Sequence, residues 1–339
     1  MNSDTVARGT IESTEDSESA GTATFEERPL PAQLKQLFSD VLDIPKPIFA
    51  VVDGGRYGDL PRQLDHMGLS GRSLFLEHAD VEVERAGGWL VPVDGKEDLY
   101  CLYSLSGEMD SMVFWSCPSG EDALHRHLRT INMVMIPSDA IPGYEPLPAK
   151  EDGVSLAASE ESVLFRHWDP SVLVALLPLL DEAQFARLFG PASHIMMYAP
   201  DYGGSRSAPR PAALPIAPRG PLRIDPLQIA ELQQVRSDAS HMRIAQFLRD
   251  NDPQATAGMN DRELLQFVTA SEKNGESFGL KDERAIGYWA WLMLNSESEI
   301  ARRPFTREYL QGHPEDGTPD DKIYKLMDNL SDMTNKTAK

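Results

Sequence analysis

The chain has 339 residues, 41% of them hydrophobic, and its 53 acidic and 32 basic side chains give a formal charge of −21. The length exceeds an ordinary domain of roughly 100–200 residues, so two units are expected. The acidic balance argues against nucleic-acid binding, which needs Lys and Arg to replace the counterions of phosphate, and against anionic lipid; no apolar run reaches the ~20 residues of a membrane helix.

Residues 1–29 are rich in Ser, Thr and Glu, and Phe25 is their only aromatic side chain. Such a segment buries too little apolar surface to offset its ordering entropy, so a disordered acidic tail is expected. It lacks the basic-then-apolar pattern of a secretory signal. The two cysteines, Cys101 and Cys117, are too few for a disulfide framework or a thiolate metal site. A cytoplasmic protein with two reduced thiols is expected.

Residues 30–200 read as an α/β lobe. Leu34, Leu37, Phe38 and Val41 recur at helical spacing. Pro47–Val52 is an unbroken apolar run closed by Asp53-Gly54-Gly55, which suits a strand buried on both faces. Gly58–Met67 reads as a short helix with Leu60 and Leu64 inward. Trp89–Val93, Met112–Ser116, Ile131–Ile136, Val163–Trp168 and His194–Tyr198 read as further strands, with helices over Lys96–Ser104 and Glu121–Arg129. This alternation predicts a mixed sheet with flanking helices.

Asp201–Pro221 contains Pro209, Pro211, Pro215, Pro218 and Pro221, so residues 201–224 are expected to form a Pro-rich linker. Arg206, Arg210 and Arg219 make it locally basic. Residues 225–333 then carry helical patterns, including Ile229, Leu232 and Val235, a capping box at Asn260–Glu263, and Trp289 with Trp291 and Met293. They predict a C-terminal all-helical lobe, with at least two of those last three side chains in its core.

Few residues are arranged for chemistry. His125-x-His127 falls on a helix, where residues two apart face different ways and metal pairs prefer i, i+4 spacing, so surface histidines are expected. Asp53 ends the first strand, where α/β enzymes often place catalytic acids. No GxGxxG or GxxxxGK[ST] accompanies it, and a capping role beside glycines of positive φ is the better reading. There is no GxSxG elbow, and His78, His167, His194, His241 and His313 are scattered. No cofactor or metal site is expected.

The strongest local pattern is Val163–Pro191. A strand ends at Arg166-His167-Trp168; Asp169-Pro170 then starts a helix, Asp as cap and Pro at the first helical position. Pro178 should break that helix. Asp181-x-x-Gln184 offers a capping box, and Gly190-Pro191 after Phe189 a stop. Arg166 and Asp169 fit an ion pair or cap that fixes this corner better than a catalytic pair.

These blocks resemble the adaptor, or effector-chaperone, family of bacterial type VI secretion, long catalogued as a domain of unknown function. Ile48–Asp53 resembles the family's opening strand with its aspartate. Arg72-Ser73-Leu74-Phe75-Leu76, Trp89-Leu90-Val91-Pro92 and Ala123–Arg129 resemble the blocks that follow. Phe165–Leu173 and then Phe189-Gly190-Pro191 resemble its most distinctive signature, with Ser171 and Trp89 as departures. The resemblance spans roughly Lys46–Tyr198. It implies a non-enzymatic protein that binds a cognate secreted effector in the producing cell and helps load it onto the valine–glycine-repeat spike (VgrG), sometimes with its PAAR tip. Asp53, Arg166, Trp168, Asp169, Pro170, Phe189, Gly190 and Pro191 are then signature positions, structural or interfacial. The alternatives are an immunity protein that neutralises a toxin, and an enzyme with a site near Asp53, Arg166 and Asp169.

Overall fold

The computed structural model describes residues 30–75, 80–107, 109–141, 160–312 and 314–337. The segment expected to be a disordered tail lies outside them, as do His78 and His313.

The central strand β1 (Ile48–Asp53) is buried along its whole length, as its continuous apolar run predicts. Ile48, Ala50 and Val52 face one core; Phe49 and Val51 face another. On the first side lie α1 (Ala32–Asp43) and α2 (Leu60–His66), which contribute Leu34, Leu37, Phe38, Leu60 and Leu64. After β2 (Arg72–Ser73) and α3 (Val81–Ala86) the chain returns through β3 (Gly88–Val93), and α4 (Lys96–Ser106) adds Leu99 and Leu102 to that same side. β4 (Met112–Ser116) and α5 (Glu121–Arg129) follow, and Leu124 and Leu128 of α5 enter the opposite core. A helix on each face is what a strand apolar on both faces requires.

β5 (Met133–Pro137) and β6 (Glu160–Leu164) pair antiparallel in a smaller sheet. The chain then turns into α6 (Pro170–Leu176), α7 (Glu182–Phe189) and β7 (His194–Ala199). Pro178 lies in a 3₁₀ turn between the two helices, the break its missing N–H demands. β6 ends earlier than the Val163–Trp168 strand expected. Phe165, His167 and Trp168 are all buried, and two adjacent inward side chains cannot belong to one alternating strand.

Residues 201–224 are not a free linker. β8 (Gly204–Pro209) pairs antiparallel with β7 over six residues, and β9 (Leu222–Arg223) pairs parallel with β5. The large sheet therefore runs β2-β3-β1-β4-β7-β8 and the small one β6-β5-β9. Every pairing in the large sheet is antiparallel, and the parallel component of the lobe is the β5–β9 pair. Pro209 is tolerated because β8 is an edge strand.

The remaining elements are helical: α8 (Pro226–Asn251), α9 (Pro253–Thr256), α10 (Asp261–Ser277), α11 (Glu283–Asn295), α12 (Glu299–Arg302), α13 (Pro304–Gln311) and α14 (Pro319–Thr337). Their core holds Leu248, Val268, Phe278, Trp289, Met293 and Ile323, with Trp291 partly buried against it. Among the described residues no helix is long and apolar enough to cross a membrane.

A polar junction ties α8 to the α/β lobe. Asp181 and Gln184 form a capping box on α7, and Asp225 and Gln228 form another on α8. The two glutamines also bond to each other through 2.6 and 2.8 Å contacts. Gln184 Nε2 donates to the Arg223 carbonyl, and the buried Gln228 Nε2 to that of Leu179. Gln228→Ala should therefore lower stability by about 1–3 kcal/mol, since it leaves the Leu179 carbonyl without its donor and removes the Gln184–Gln228 pair and half of the α8 capping box. An unchanged urea midpoint would remove this junction from the energetics of the fold.

Candidate functional site

The signature residues gather at two corners of the α/β lobe. At the first, the end of β1 meets the start of α6. The Asp53 N–H donates to the Ser111 carbonyl, and Asp53 Oδ1 accepts from the Gly55 N–H at 3.2 Å. The expected turn cap is present, but the glycines have a different role. Neither Gly54 nor Gly55 has positive φ. Instead a Cβ at Gly54 would collide with the carbonyls of Arg85 and Gly87, so the position is fixed by close backbone approach.

Arg166 lies 113 residues further on, and its Nη2 reaches Asp53 Oδ2 at 2.5 Å and Asp169 Oδ2 at 3.6 Å. Asp53 is 2% exposed, whereas the Arg166 side chain is 46% exposed, so the guanidinium covers a carboxylate that water cannot reach. Asp169 Oδ1 meanwhile accepts from the Ser171 N–H at 2.9 Å, capping α6, and Pro170 occupies the first helical position. The three polar residues thus converge, and their bonded atoms face one another or the backbone.

Beneath them Trp168 is 1% exposed and lies against Gly88, where any Cβ would meet its ring. Its indole packs edge-on against Phe75 and His167, at 6.0 and 5.0 Å between ring centroids. The fully buried His167 places Nε2 3.0 Å from Asn132 Oδ1, and Asn132 Nδ2 donates to the Leu74 carbonyl. Burial pushes His167 down to about 3, so its ring is neutral.

The second corner is Phe189-Gly190-Pro191. Phe189 is buried and stacks on Phe185. Gly190 ends α7 at φ +51°, and a Cβ there would also strike the His127 ring, so glycine is required on both counts. Cys117, a buried free thiol, lies with Sγ 3.7 Å from the Pro191 carbonyl oxygen. His125 and His127 are not surface residues. His125 is buried with Nε2 2.8 Å from the Ser73 carbonyl oxygen, and His127 is half-buried with Nε2 2.8 Å from that of Leu188. The amphipathic pattern hid this, because each imidazole reaches a carbonyl of a different distant element. Burial lowers both ionisations.

Between the lobes lies a polar recess of about 500 Å³, lined among others by Ser171, Asp201, Tyr202, Arg236, Arg243 and Lys281. Arg243 on α8 bonds Asp201 at 2.9 Å and grips Glu283 of α11 through two contacts of 2.7 and 2.5 Å. Hydrogen bonding to Glu283 raises the Arg243 ionisation and lowers that of Glu283. Neither Asp53 nor Arg166 lines this recess. No sequence pattern marks Arg243, Asn132 or the bridging role of Gln184. Gln228 alone carries a local signal that could have found it, the Asp225-x-x-Gln228 capping box.

Among the described residues no group of three or more His, Cys, Asp or Glu side chains is placed to hold a metal ion.

Residues 48–144 match the model of a family described as a domain of unknown function (DUF4123). The match covers under a third of the chain, from the start of β1 to just beyond β5. No curated protein and no solved structure matches. The matched stretch holds Asp53, while Arg166, Trp168, Asp169, Pro170 and the Gly190 corner lie beyond it.

Removing Arg166 strands the buried Asp53 carboxylate, so Arg166→Ala should cost about 1.5–3 kcal/mol. Asp169→Ala, which loses chiefly a cap, should cost about 1 kcal/mol. Equilibrium denaturation that reversed this order would show that Asp53 does not depend on Arg166.

The histidines set a pH dependence. Their folded ionisations lie below the unfolded value near 6.5. The unfolded chain therefore binds protons first, and stability complete above pH 6.5 is lost as pH falls toward the folded values. Between pH 6.5 and 5, before carboxylates contribute, each such histidine adds a slope of up to about 1.4 kcal/mol per pH unit. His167→Gln should flatten this slope in denaturation curves taken across the window; an unaltered slope would exclude His167 as a source.

Proposed function

We propose that this chain is a non-enzymatic adaptor that binds a type VI secretion effector and helps load it onto the VgrG spike, or onto a spike carrying a PAAR tip. The observation that carries the reading is the family match over residues 48–144, since that family is associated with effector adaptors of this secretion system. The signature resemblance beyond the match, at Phe165–Leu173 and Phe189–Pro191, supports it further.

The geometry supports the same reading in two ways. Arg166, Asp53 and Asp169 form a closed ion-pair and capping set at a strand-to-helix corner. Such a set stabilises shape, and shape is what a loading protein must present. The two lobes also meet through defined contacts, with Arg243 joining Asp201 to Glu283 and the paired glutamines joining α7 to α8. A fixed relation between two surfaces suits a protein that holds an effector and a spike together.

Affinity purification of the tagged full chain from a secreting cell should recover, in stoichiometric amount, an effector encoded beside it, with a spike component in the same eluate. Arg166→Ala should weaken recovery only in proportion to its loss of folded protein. Purification that yields neither an effector nor a spike protein, from cells shown to be secreting, would overturn the proposal.

A further inference from the structure

A second cavity, of about 260 Å³, lies between α8 and α11 and shares Arg243 and Glu283 with the polar recess. The rest of its lining is Ile244 and Phe247 of α8 and Arg284, Gly287 and Tyr288 of α11. The rings of Phe247 and Tyr288 stand 5.8 Å apart, inclined at 60°. This slot is smaller than the roughly 300–1,000 Å³ of small-molecule pockets. Its size and its aromatic and aliphatic walls suit one large apolar side chain, the form in which interface energy is concentrated.

Gly287 lies inside α11, where glycine costs backbone entropy that alanine does not. The fold gives no reason for that cost. Gly287 is not among the glycines of positive φ. Among the described residues a Cβ there would meet only Ile244 Cγ1 and Phe247 Cδ1, both at an ordinary 3.9 Å. Gly275 of α10 is the contrast: a Cβ there would lie 3.0 Å from Trp289 Cδ1 and 3.1 Å from Leu280 Cδ1, so close packing requires glycine. At Gly287 the missing side chain leaves space in the slot instead.

The charges beside the slot are unevenly matched. Around slot and recess the carboxylates of Asp201, Glu272 and Glu283 are already engaged. Arg243 holds Asp201 and Glu283, and Glu272 lies 2.6 Å from His241. The side chains of Arg236, Lys281 and Arg284 are exposed, and among the described residues no carboxylate pairs with any of them. Arg284 donates to the Tyr288 hydroxyl at 2.9 and 3.1 Å and lies over the Tyr288 and Tyr324 rings, which hold its guanidinium at the rim of the slot. In a chain of charge −21, three neighbouring cations without carboxylates of their own favour an acidic ligand.

We propose that the α8–α11 slot binds a segment of a partner protein that presents one large apolar side chain flanked by acidic residues. The apolar side chain fills the space over Gly287, between Ile244, Phe247 and Tyr288, and its acidic neighbours meet Arg284, Lys281 and Arg236. That the partner is a secreted effector rests on the adaptor reading; the chemistry of the segment does not.

The test titrates the deuterated full chain with capped pentapeptides and follows the backbone amide resonances of Phe247, Gly287 and Tyr288. A peptide of one phenylalanine between two pairs of glutamates should shift these signals saturably. Replacing its phenylalanine with glycine, or its glutamates with lysines, should weaken binding about tenfold or more. Gly287→Leu, which fills the slot, should weaken the phenylalanine–glutamate peptide to the same degree. Gly287→Ala adds one methyl group where there is room for it, so it should keep the melting temperature and still lower the affinity. Absence of shifts with the phenylalanine–glutamate peptide would overturn the proposal, as would equal binding of the glycine or lysine peptide, or undiminished binding by Gly287→Ala. Slot signals that move with protein concentration alone would seat a second copy there and overturn it likewise. Peptide binding by a chain that recovers no effector from secreting cells would uphold the slot and refute the adaptor reading. Undiminished effector recovery by Gly287→Ala would overturn the slot alone.

Discussion

A carboxylate at the end of the central strand has to be neutralised, and the α/β lobe is arranged around that requirement. β1 runs between two apolar cores and delivers Asp53 to a place that water does not reach. A buried ionised group without a partner is costly enough to unfold a marginal domain. Arg166 meets the requirement because the chain turns sharply after β6, which allows the guanidinium to lie over Asp53 while Phe165, His167 and Trp168 enter the core. The same turn ends at Asp169, whose cap starts α6 in the direction that covers the sheet. One ion pair therefore couples the end of the central strand to the start of the helix pair, across 113 residues of sequence.

Polar contacts of the same kind extend this order outward. The imidazoles of α5 reach carbonyls on β2 and α7, Asn132 links His167 to Leu74, and the paired glutamines carry the frame into α8. Each contact satisfies a group that would otherwise be stranded in a partly dry setting, and each is specific in geometry where apolar packing is not. The histidines contribute as neutral hydrogen-bonding groups, which is why acid weakens them.

Much of the fold is legible in the sequence wherever the signal is local. The apolar run ending at Asp53, the Asp169-Pro170 start, the break at Pro178 and the Gly190 stop all concern neighbouring residues. The failures concern partners distant in sequence. Proline density made residues 201–224 read as a linker, yet whether a stretch joins a sheet depends on the strand beside it, and β8 lies at an edge where Pro209 is harmless. The His125-x-His127 pair read as surface because helical periodicity cannot show that Ser73 and Leu188 approach. At the candidate site Asp53, Arg166 and Asp169 were each visible, but only the fold shows that they meet. The expected mixed sheet is found, with antiparallel pairs making up the large sheet and the parallel pair lying in the small one. A strand apolar on both faces reports two covering layers, and it carries no information on the direction of its neighbours.

A corner whose charges are matched internally changes where function must be sought. Arg166 and Asp169 are oriented by each other and by the backbone, so a partner would have to displace existing bonds to use them. The polar recess between the lobes differs, because Arg236 and Lys281 line it and are exposed. That recess borders the junction between the sheet and α8, since Arg243 and Asp201 belong to both. The junction built from Arg243, Gln184 and Gln228 determines how α8 lies against the α/β lobe. Asp53, Arg166 and Asp169 bear on the recess at one remove, by holding in place the lobe whose Ser171, Asp201 and Tyr202 form part of its wall.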